Sequence, residues 1–550
     1  MRASIGSRTA FSPAVSRHYT LAGVFRPHMI FAVSSVFRLA NAGFVFARFG
    51  VFGIPDTSEM PAPLRLAIKV ARTIERKDMA ADGMARLSNA LAALGPSYIK
   101  LGQFLATRRD LVGDEMAADL SRLQDKLPAF GRERAIKTIE AALGAPLDEL
   151  YSEFSEPIAA ASVAQVHKAT TVDGRTVAVK VLRPGVIQRF EKDLRTFYFA
   201  TRWLERLSPE ARRLRPVAVI DTLARTTVLE TDFRLEAAAI SEMAENVTKD
   251  QGFRVPGLDW SRTAKSVLTI EWIDGIPMSD PEEVKKTAFD MPTLGAGVIQ
   301  HFLRHAMRDG FFHADMHQGN LFVDETGTLV AVDFGIMGRL SPRERRFLAE
   351  ILFGFIRRDY RRVAEVHFEA NYVPSHHDVD SFAQALRAIG EPLMDRTAED
   401  ISMARLLTQL FQVTDLFDMR TQPQLLLLQK TMVVVEGVAR TLDPKVNMWV
   451  TAEPVVREWI EANLGPPGKL RDAADGAQML AQFIGHVPAL LSRAENVAQL
   501  AQKASEDGLP LSQETVDAIA VAEAKKTRSG RVALWVGAVA LAIIALEMIW

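Results

Sequence analysis

The chain has 550 residues, 48% hydrophobic and 24% charged, with a formal net charge of −1. That length allows a large core and about two to four domains, and the charge excludes a global nucleic-acid footprint. Cysteine is absent, which excludes disulfides, zinc–thiolate sites and thiol catalysis and suits a reducing compartment.

Residues 1–54 hold no acid and no lysine but six arginines: Arg2, Arg8, Arg17, Arg26, Arg38 and Arg48. Phe25, Met29, Phe31, Phe37, Phe44 and Phe46 lie between them. Such a segment resembles a transit peptide or a basic stretch lying on an anionic membrane. Residues 29–52 also suit a buried helix, but the reading favoured for 1–60 is membrane-surface contact. From 62 to 127 leucine and alanine recur at helical spacing. Leu94-Gly95-Pro96-Ser97 reads as a break and restart, followed by Lys100-Leu101-Gly102-Gln103. Residues 131–155 read as a further helix ending near Glu156-Pro157.

Next comes a strand region, 157–182, turning at Asp173-Gly174. Val177-Ala178-Val179-Lys180 alternates as a strand does and ends on a lysine, the pattern of a phosphate-holding lysine. A phosphate-covering loop upstream would carry glycines. Ala159, Ala161 and Ala164 stand in their places, which makes the loop stiffer and shifts its nucleotide preference. Residues 186–250 are helical and charged, with Glu230 and Arg234 four apart as in a surface helix pair. Residues 266–275 read as a last strand entering a hinge, and 292–308 as a helix.

The stretch 309–335 carries the densest chemistry. Asp315 follows His313 by two residues, Asn320 follows Asp315 by five, and Asp333 opens an Asp-Phe-Gly triplet. Apolar residues around Asp324-Glu325-Thr326-Gly327 predict a hairpin that brings Asn320 and Asp333 to one end of neighbouring strands. A carboxylate beside an amide oxygen suits Mg²⁺ on nucleotide phosphates, with Asp315 where an attacking hydroxyl or water arrives. After Gly335 a helix begins almost at once, without an activation segment or an Ala-Pro-Glu motif, and Ala314 replaces the usual arginine. Helices are predicted to about 446, including 423–440, then over 452–464 and along a tail at 471–525. Lys525, Lys526, Arg528 and Arg531 precede an apolar run, 532–546. A helix over 532–550 reaches roughly 28 Å, one hydrocarbon core, with its basic flank cytoplasmic. Its small-xxx-small pairs, Ala533/Gly537 and Ala538/Ala542, fit a homodimer.

In this order the motifs resemble the UbiB family of kinase-like ATPases, which support ubiquinone biosynthesis, over about 94–444. The resemblance implies an α+β, protein-kinase-like bilobal fold. It has a β-rich N-lobe (156–275), a helical extension (61–155) over the cleft, a mainly helical C-lobe (276–450) and a C-terminal membrane helix (526–550). It implies that Lys180 holds phosphates and pairs with Glu236, that Asn320 and Asp333 bind Mg²⁺, and that Asp315 is catalytic. ATP or ADP would lie under Ala159, Ala160, Ala161, Ser162, Val163 and Ala164 and against the hinge at Glu271 and Ile273. Lys100 and Gln103 of the Lys-x-Gly-Gln helix would restrain the site through Glu230 and Asp232. The family often has proline where this chain has Met316 and Gln318, so a looser catalytic loop is expected.

The function so implied is a membrane-anchored ATPase or small-molecule kinase on the cytoplasmic face of a bacterial inner membrane. Its partners would be anionic lipid, polyprenyl-phenol quinone precursors and the enzymes that modify them, and no nucleic acid. The alternative is a nucleotide-binding scaffold without turnover. A flavin enzyme is disfavoured, because no Gly-x-Gly-x-x-Gly follows a strand.

Overall fold

The computed structural model describes residues 29–51, 86–106, 112–120, 128–207, 215–394 and 423–465, with a few isolated residues between. Helices α1 (Met29–Arg48), α2 (Arg86–Leu94), α3 (Pro96–Ala106) and α4 (Asp114–Leu120) pack with α6 (Val186–Leu207) and α7 (Pro216–Glu230); α5 (Arg132–Leu143) lies between these groups in the chain. Their shared core holds Leu91, Leu94, Tyr98, Ile99, Leu120, Phe197 and Leu223. Gly95, at φ +100°, makes the predicted break before Pro96. Gly102 lets α3 approach its neighbours: a Cβ there would lie 2.3 Å from Leu123 Cδ1 and 2.7 Å from Leu91 Cδ1. One face of α1 is buried through Ala42 and Ala47, and its Arg38 reaches the buried Asp193 at 2.6 Å. Phe37 and Phe44 on its other face are exposed.

The N-lobe sheet is antiparallel in the order β1–β2–β3–β5, from β1 (Tyr151–Ala160), β2 (Ala164–Thr171), β3 (Thr176–Leu182) and β5 (Val267–Glu271). The expected helix over 131–155 is corrected here. It stops at Leu143, where Gly144 takes the left-handed cap at φ 72°, and Tyr151 already opens β1. Tyr151 and Phe154 are buried under α5 with Ala135, Ile139, Val177, Val179 and Val181. Because strand side chains alternate, burying those valines turns Lys180 to the opposite face of β3. Glu230 ends α7, and Asp232 breaks the helix by capping α8 (Phe233–Val247) through Arg234 N–H, so Glu230 and Arg234 never share a helix.

The chain then forms β4 (Phe253–Arg254), β6 (Gly275–Pro277), α9 (Met291–Arg304), β7 (Phe311–His313), β8 (Leu321–Asp324), β9 (Leu329–Ala331) and β10 (Met337–Arg339). A second sheet runs β4–β9–β8–β6, and β10 pairs back on β7. Helices α10 (Pro342–Ile356), α11 (Tyr360–Glu369), α12 (Val379–Met394), α13 (Pro423–Leu442) and α14 (Met448–Leu464) follow. A full capping box, Ser341 with Glu344, and Pro342 in the first turn start α10 immediately after β10. Gly338 sits under the buried Phe312 ring, where a Cβ would lie 2.1 Å from Cζ. Gly338→Ala is therefore expected to lower unfolding free energy by about 1–3 kcal/mol, read from urea midpoints.

The chain divides into two compact units, Met1–Trp459 and Ile460–Trp550. Among the described residues no helix is long and apolar enough to cross a membrane. The expected span over 532–550 and the tail over 471–525 lie outside the described residues, as do 1–28 and most of 52–85.

Candidate active site

The hairpin forms as predicted. Leu321 pairs with Ala331, and Val332 N–H donates to Asn320 C=O at 2.9 Å, so Asn320 and Asp333 end adjacent strands on one side. Asp333 is left-handed, at φ 62°, a conformation rarely held by a residue with a side chain and characteristic of functional turns. Phe334, 1% exposed, is buried edge-on against His313, with ring centroids 5.2 Å apart. His313 Nδ1 accepts Asp315 N–H at 3.1 Å and its Nε2 faces Val332 C=O at 3.1 Å, tying the catalytic loop to the strand that carries Asp333. Asn320 donates its Nδ2 to Asp315 C=O at 3.1 Å, which leaves Oδ1 as the oxygen that could meet a cation. With the Asp333 carboxylate this is a hard-oxygen set, and the residues fit Mg²⁺. In the loop where Met316 and Gln318 stand, Met316 is 1% exposed, and His317 Nδ1 accepts Gly319 N–H at 3.0 Å.

Lys180 joins the two lobes. Its Nζ donates to Glu236 Oε1 at 2.9 Å and Oε2 at 3.0 Å, and to Asp333 Oδ1 at 2.9 Å. Burial pulls the ammonium down, but the charges of Asp333 and Glu236 outweigh it and leave Lys180 above its ordinary range. Asp333 is held well below the usual carboxylate range by the Lys180 charge. Burial, with the like charge of Asp333, pushes Glu236 up to about 7 against the pull of Lys180. One cation thus serves two carboxylates.

Glu236 is placed by α8, which the C-lobe grips along its length. Arg339 Nη1 meets Glu242 at 2.8 Å, and Arg308 reaches Asn246 C=O at 3.0 Å and Asp250 at 2.5 Å. His305 Nε2 also meets Asp250, at 3.2 Å, with His301 and Phe253 packed beside it. Sequence reading missed this lock, because Asp250 and Arg308 are far apart in the chain and the histidines look like ordinary helix residues. His301 is 5% exposed, and burial, then the neighbouring His305, hold its pKa down to about 3. The unfolded chain therefore binds the extra proton between roughly pH 6.5 and 3, and His301 costs stability as pH falls through that window. Relative to His301→Gln, the wild type should lose about 2 kcal/mol between pH 7 and pH 5, measured by urea unfolding at both.

Ala159 and Ala160 end β1, Ala164 opens β2, and Ala161, Ser162 and Val163 form the turn between them, closed by Ala161 N–H to Ala164 C=O at 2.7 Å. Ser162 is 1% exposed, and its buried Oγ has no hydrogen-bond partner. Glu271 gives its carboxylate to Arg254 at 3.0 Å and to Gly257 N–H at 2.9 Å, and Ile273 is half-buried beyond it. Lys100 Nζ meets Glu230 Oε2 at 2.7 Å, with both side chains at most 15% exposed. Asp232 is engaged by Arg234 at 2.6 Å, and Gln103 lies half-buried on α3. Sequence reading assigned nothing to Lys430, whose Nζ lies 3.7 Å from Asp315 Oδ1. A single lysine inside the apolar run of α13 was the available signal.

Comparisons with known proteins place this geometry. The family model for the ABC1 atypical kinase-like domain matches residues 122–367, and that for the UbiB helical domain matches 386–447. The protein called Probable protein kinase UbiB in Marinobacter nauticus is 40% identical over 472 residues, 85% of this chain and 84% of its own. Its Pseudomonas aeruginosa namesake is 40% identical over 406 residues, 73% of this chain and 76% of its own. A solved complex of Rv3197 with erythromycin from Mycobacterium tuberculosis is 26% identical, spans 72% of this chain and 97% of its own, and has a TM-score of 0.47.

Proposed function

The chain belongs to the UbiB family of atypical kinase-like proteins, which implies a role in ubiquinone biosynthesis, and from that premise we propose that it is a membrane-anchored, Mg²⁺-dependent ATPase or small-molecule kinase. The observation that carries this reading is the 2.9 Å contact between Lys180 and Asp333, which sets the lysine strand and the acidic hairpin face to face. Lys180 holds the α/β-phosphates and is oriented by Glu236. The alanine loop, residues 159–164, covers the nucleotide. Because the Glu271 carboxylate is taken by Arg254, the hinge from Glu271 to Ile273 meets the base through its main chain. Asn320 and Asp333 hold Mg²⁺, which when bound neutralises phosphate charge. An acceptor oxygen forms the new bond to the terminal phosphorus, the old bridging bond breaks with its electron pair leaving on ADP, and the acceptor proton passes to Asp315.

The acceptor is water or a small molecule and not a protein. Support comes from β10 and α10 following the Asp-Phe-Gly triplet directly and from buried Ala314 in the place of an arginine. The Lys100–Glu230 pair ties α3 to the end of α7, just before the Asp232 cap of α8, and through this junction the helical layer, with Gln103 on α3, restrains the site. Polyprenyl-phenol precursors are the lipid substrates or cargo. Anchoring comes from the apolar run 532–546, with anionic lipid met by the basic N-terminal segment and α1. The cytoplasmic face of a bacterial inner membrane is the expected location, with quinone-modifying enzymes as partners. Hydrolysis by the purified full chain, with and without anionic liposomes and a phenolic lipid, tests this. Mg²⁺-dependent turnover stimulated by the lipids is expected, and no turnover in any mixture leaves the scaffold reading instead.

A further inference from the structure

The cleft has a cation on each side, and only Lys180 has a role so far. The 423–442 helix, α13, lies against the Asp315 loop at Thr431, 1% exposed, whose Oγ1 shares its proton between Leu427 C=O at 2.8 Å within the helix and Ala314 C=O at 3.0 Å. Leu428 and Val435 bury the same side of the helix. Lys430 is therefore rooted beside a fixed anchor, while its half-exposed arm extends to Asp315 at 3.7 Å. A contact that long and that exposed is a weak ion pair. Asp315 is thus a resting place that the ammonium leaves at little cost.

Charge balance says where it goes. Lys180 is committed to Glu236 and Asp333, and the arginine that flanks the catalytic aspartate in protein kinases is Ala314 here. Phosphoryl transfer spreads negative charge over the equatorial oxygens of the moving group, and cations aimed at that charge supply much of the catalysis. Among the described residues, the basic groups within ion-pair reach of Asp315 are Lys430 and His317, the latter at 3.8 Å. His317 spends its Nδ1 on Gly319 N–H, and a neutral ring then completes the loop. Lys430 remains as the permanent charge.

We infer that Lys430 is the second phosphate-holding cation of the site. It meets the terminal phosphoryl group from the acceptor side, so the helical domain takes part in distinguishing ATP from ADP. The inference rests on the nucleotide site proposed above and deepens it. A solvated lysine paired only with Asp315 would leave nucleotide affinity unchanged on substitution.

The test uses the full chain as wild type, Lys430→Met and Lys430→Arg. Equilibrium affinities for ATP and for ADP, both with Mg²⁺, are measured beside turnover. Losing one charge-assisted contact should weaken ATP binding by Lys430→Met about tenfold or more, while ADP binding changes less than about twofold. Turnover should fall by about 100-fold in Lys430→Met and recover partly in Lys430→Arg. Equal loss for both nucleotides, or no change in either, overturns the assignment. A wild type that binds both nucleotides without turnover defeats the enzymatic reading alone, and the ATP-to-ADP ratio still decides Lys430. A wild type that binds neither overturns both.

Discussion

Asp333→Asn is expected to abolish Mg²⁺-dependent ATP turnover, by at least about 100-fold, while leaving the fold intact. Asparagine tolerates the left-handed backbone at this position, φ 62°, and the side chain is half-exposed, so little packing is lost. What disappears is one of two negative charges on Lys180, and with it the carboxylate of the hard-oxygen set. Removing that like charge also lets Glu236, now pushed up to about 7, return toward an ordinary carboxylate in its pair with Lys180. Lys180→Ala should differ in a measurable way. It loses turnover as well, but it strands Glu236, 8% exposed, without its cation, at a cost of about 3 kcal/mol or more. Turnover assays beside thermal denaturation separate the two: both variants inactive, and only Lys180→Ala strongly destabilised.

Glu230→Gln should destabilise the chain by about 1–3 kcal/mol, because it replaces one carboxylate of a mostly buried ion pair with a neutral amide. The pair is short, 2.7 Å, and neither side chain is more than 15% exposed, so water compensates poorly for the lost partner. Replacing both residues, as Lys100→Met with Glu230→Leu, removes both charges of the pair and should recover part of the loss. Urea unfolding of the two single variants and the double variant gives the coupling directly. Because Glu230 lies two residues before the Asp232 cap of α8, the same substitution should loosen the helical layer, and limited proteolysis of the native chain should accelerate.

Much of the site could be read from the sequence because its signals are local. Lys180 announces itself through strand alternation, and the hairpin places Asn320 and Asp333 by simple periodicity and one turn. The resemblance supplied Glu236 as the partner of Lys180 and Lys100 as the partner of Glu230, and both contacts form. The first half of β1, before Pro157, was missed because helical spacing before Leu143 hid the stop at Gly144, after which Tyr151 and Phe154 follow a strand pattern. The Asp250–His305–Arg308 lock and the approach of Lys430 to Asp315 are long-range contacts with no local pattern at either end.

The account depends on a nucleotide lying against Lys180, and labelling with an acyl-phosphate derivative of ATP tests that contact directly. Peptide mapping should find Lys180 acylated in the wild type and protected by excess Mg²⁺–ATP, with protection lost in Asp333→Asn. Acylation that spares Lys180, or that Mg²⁺–ATP fails to block, would contradict it.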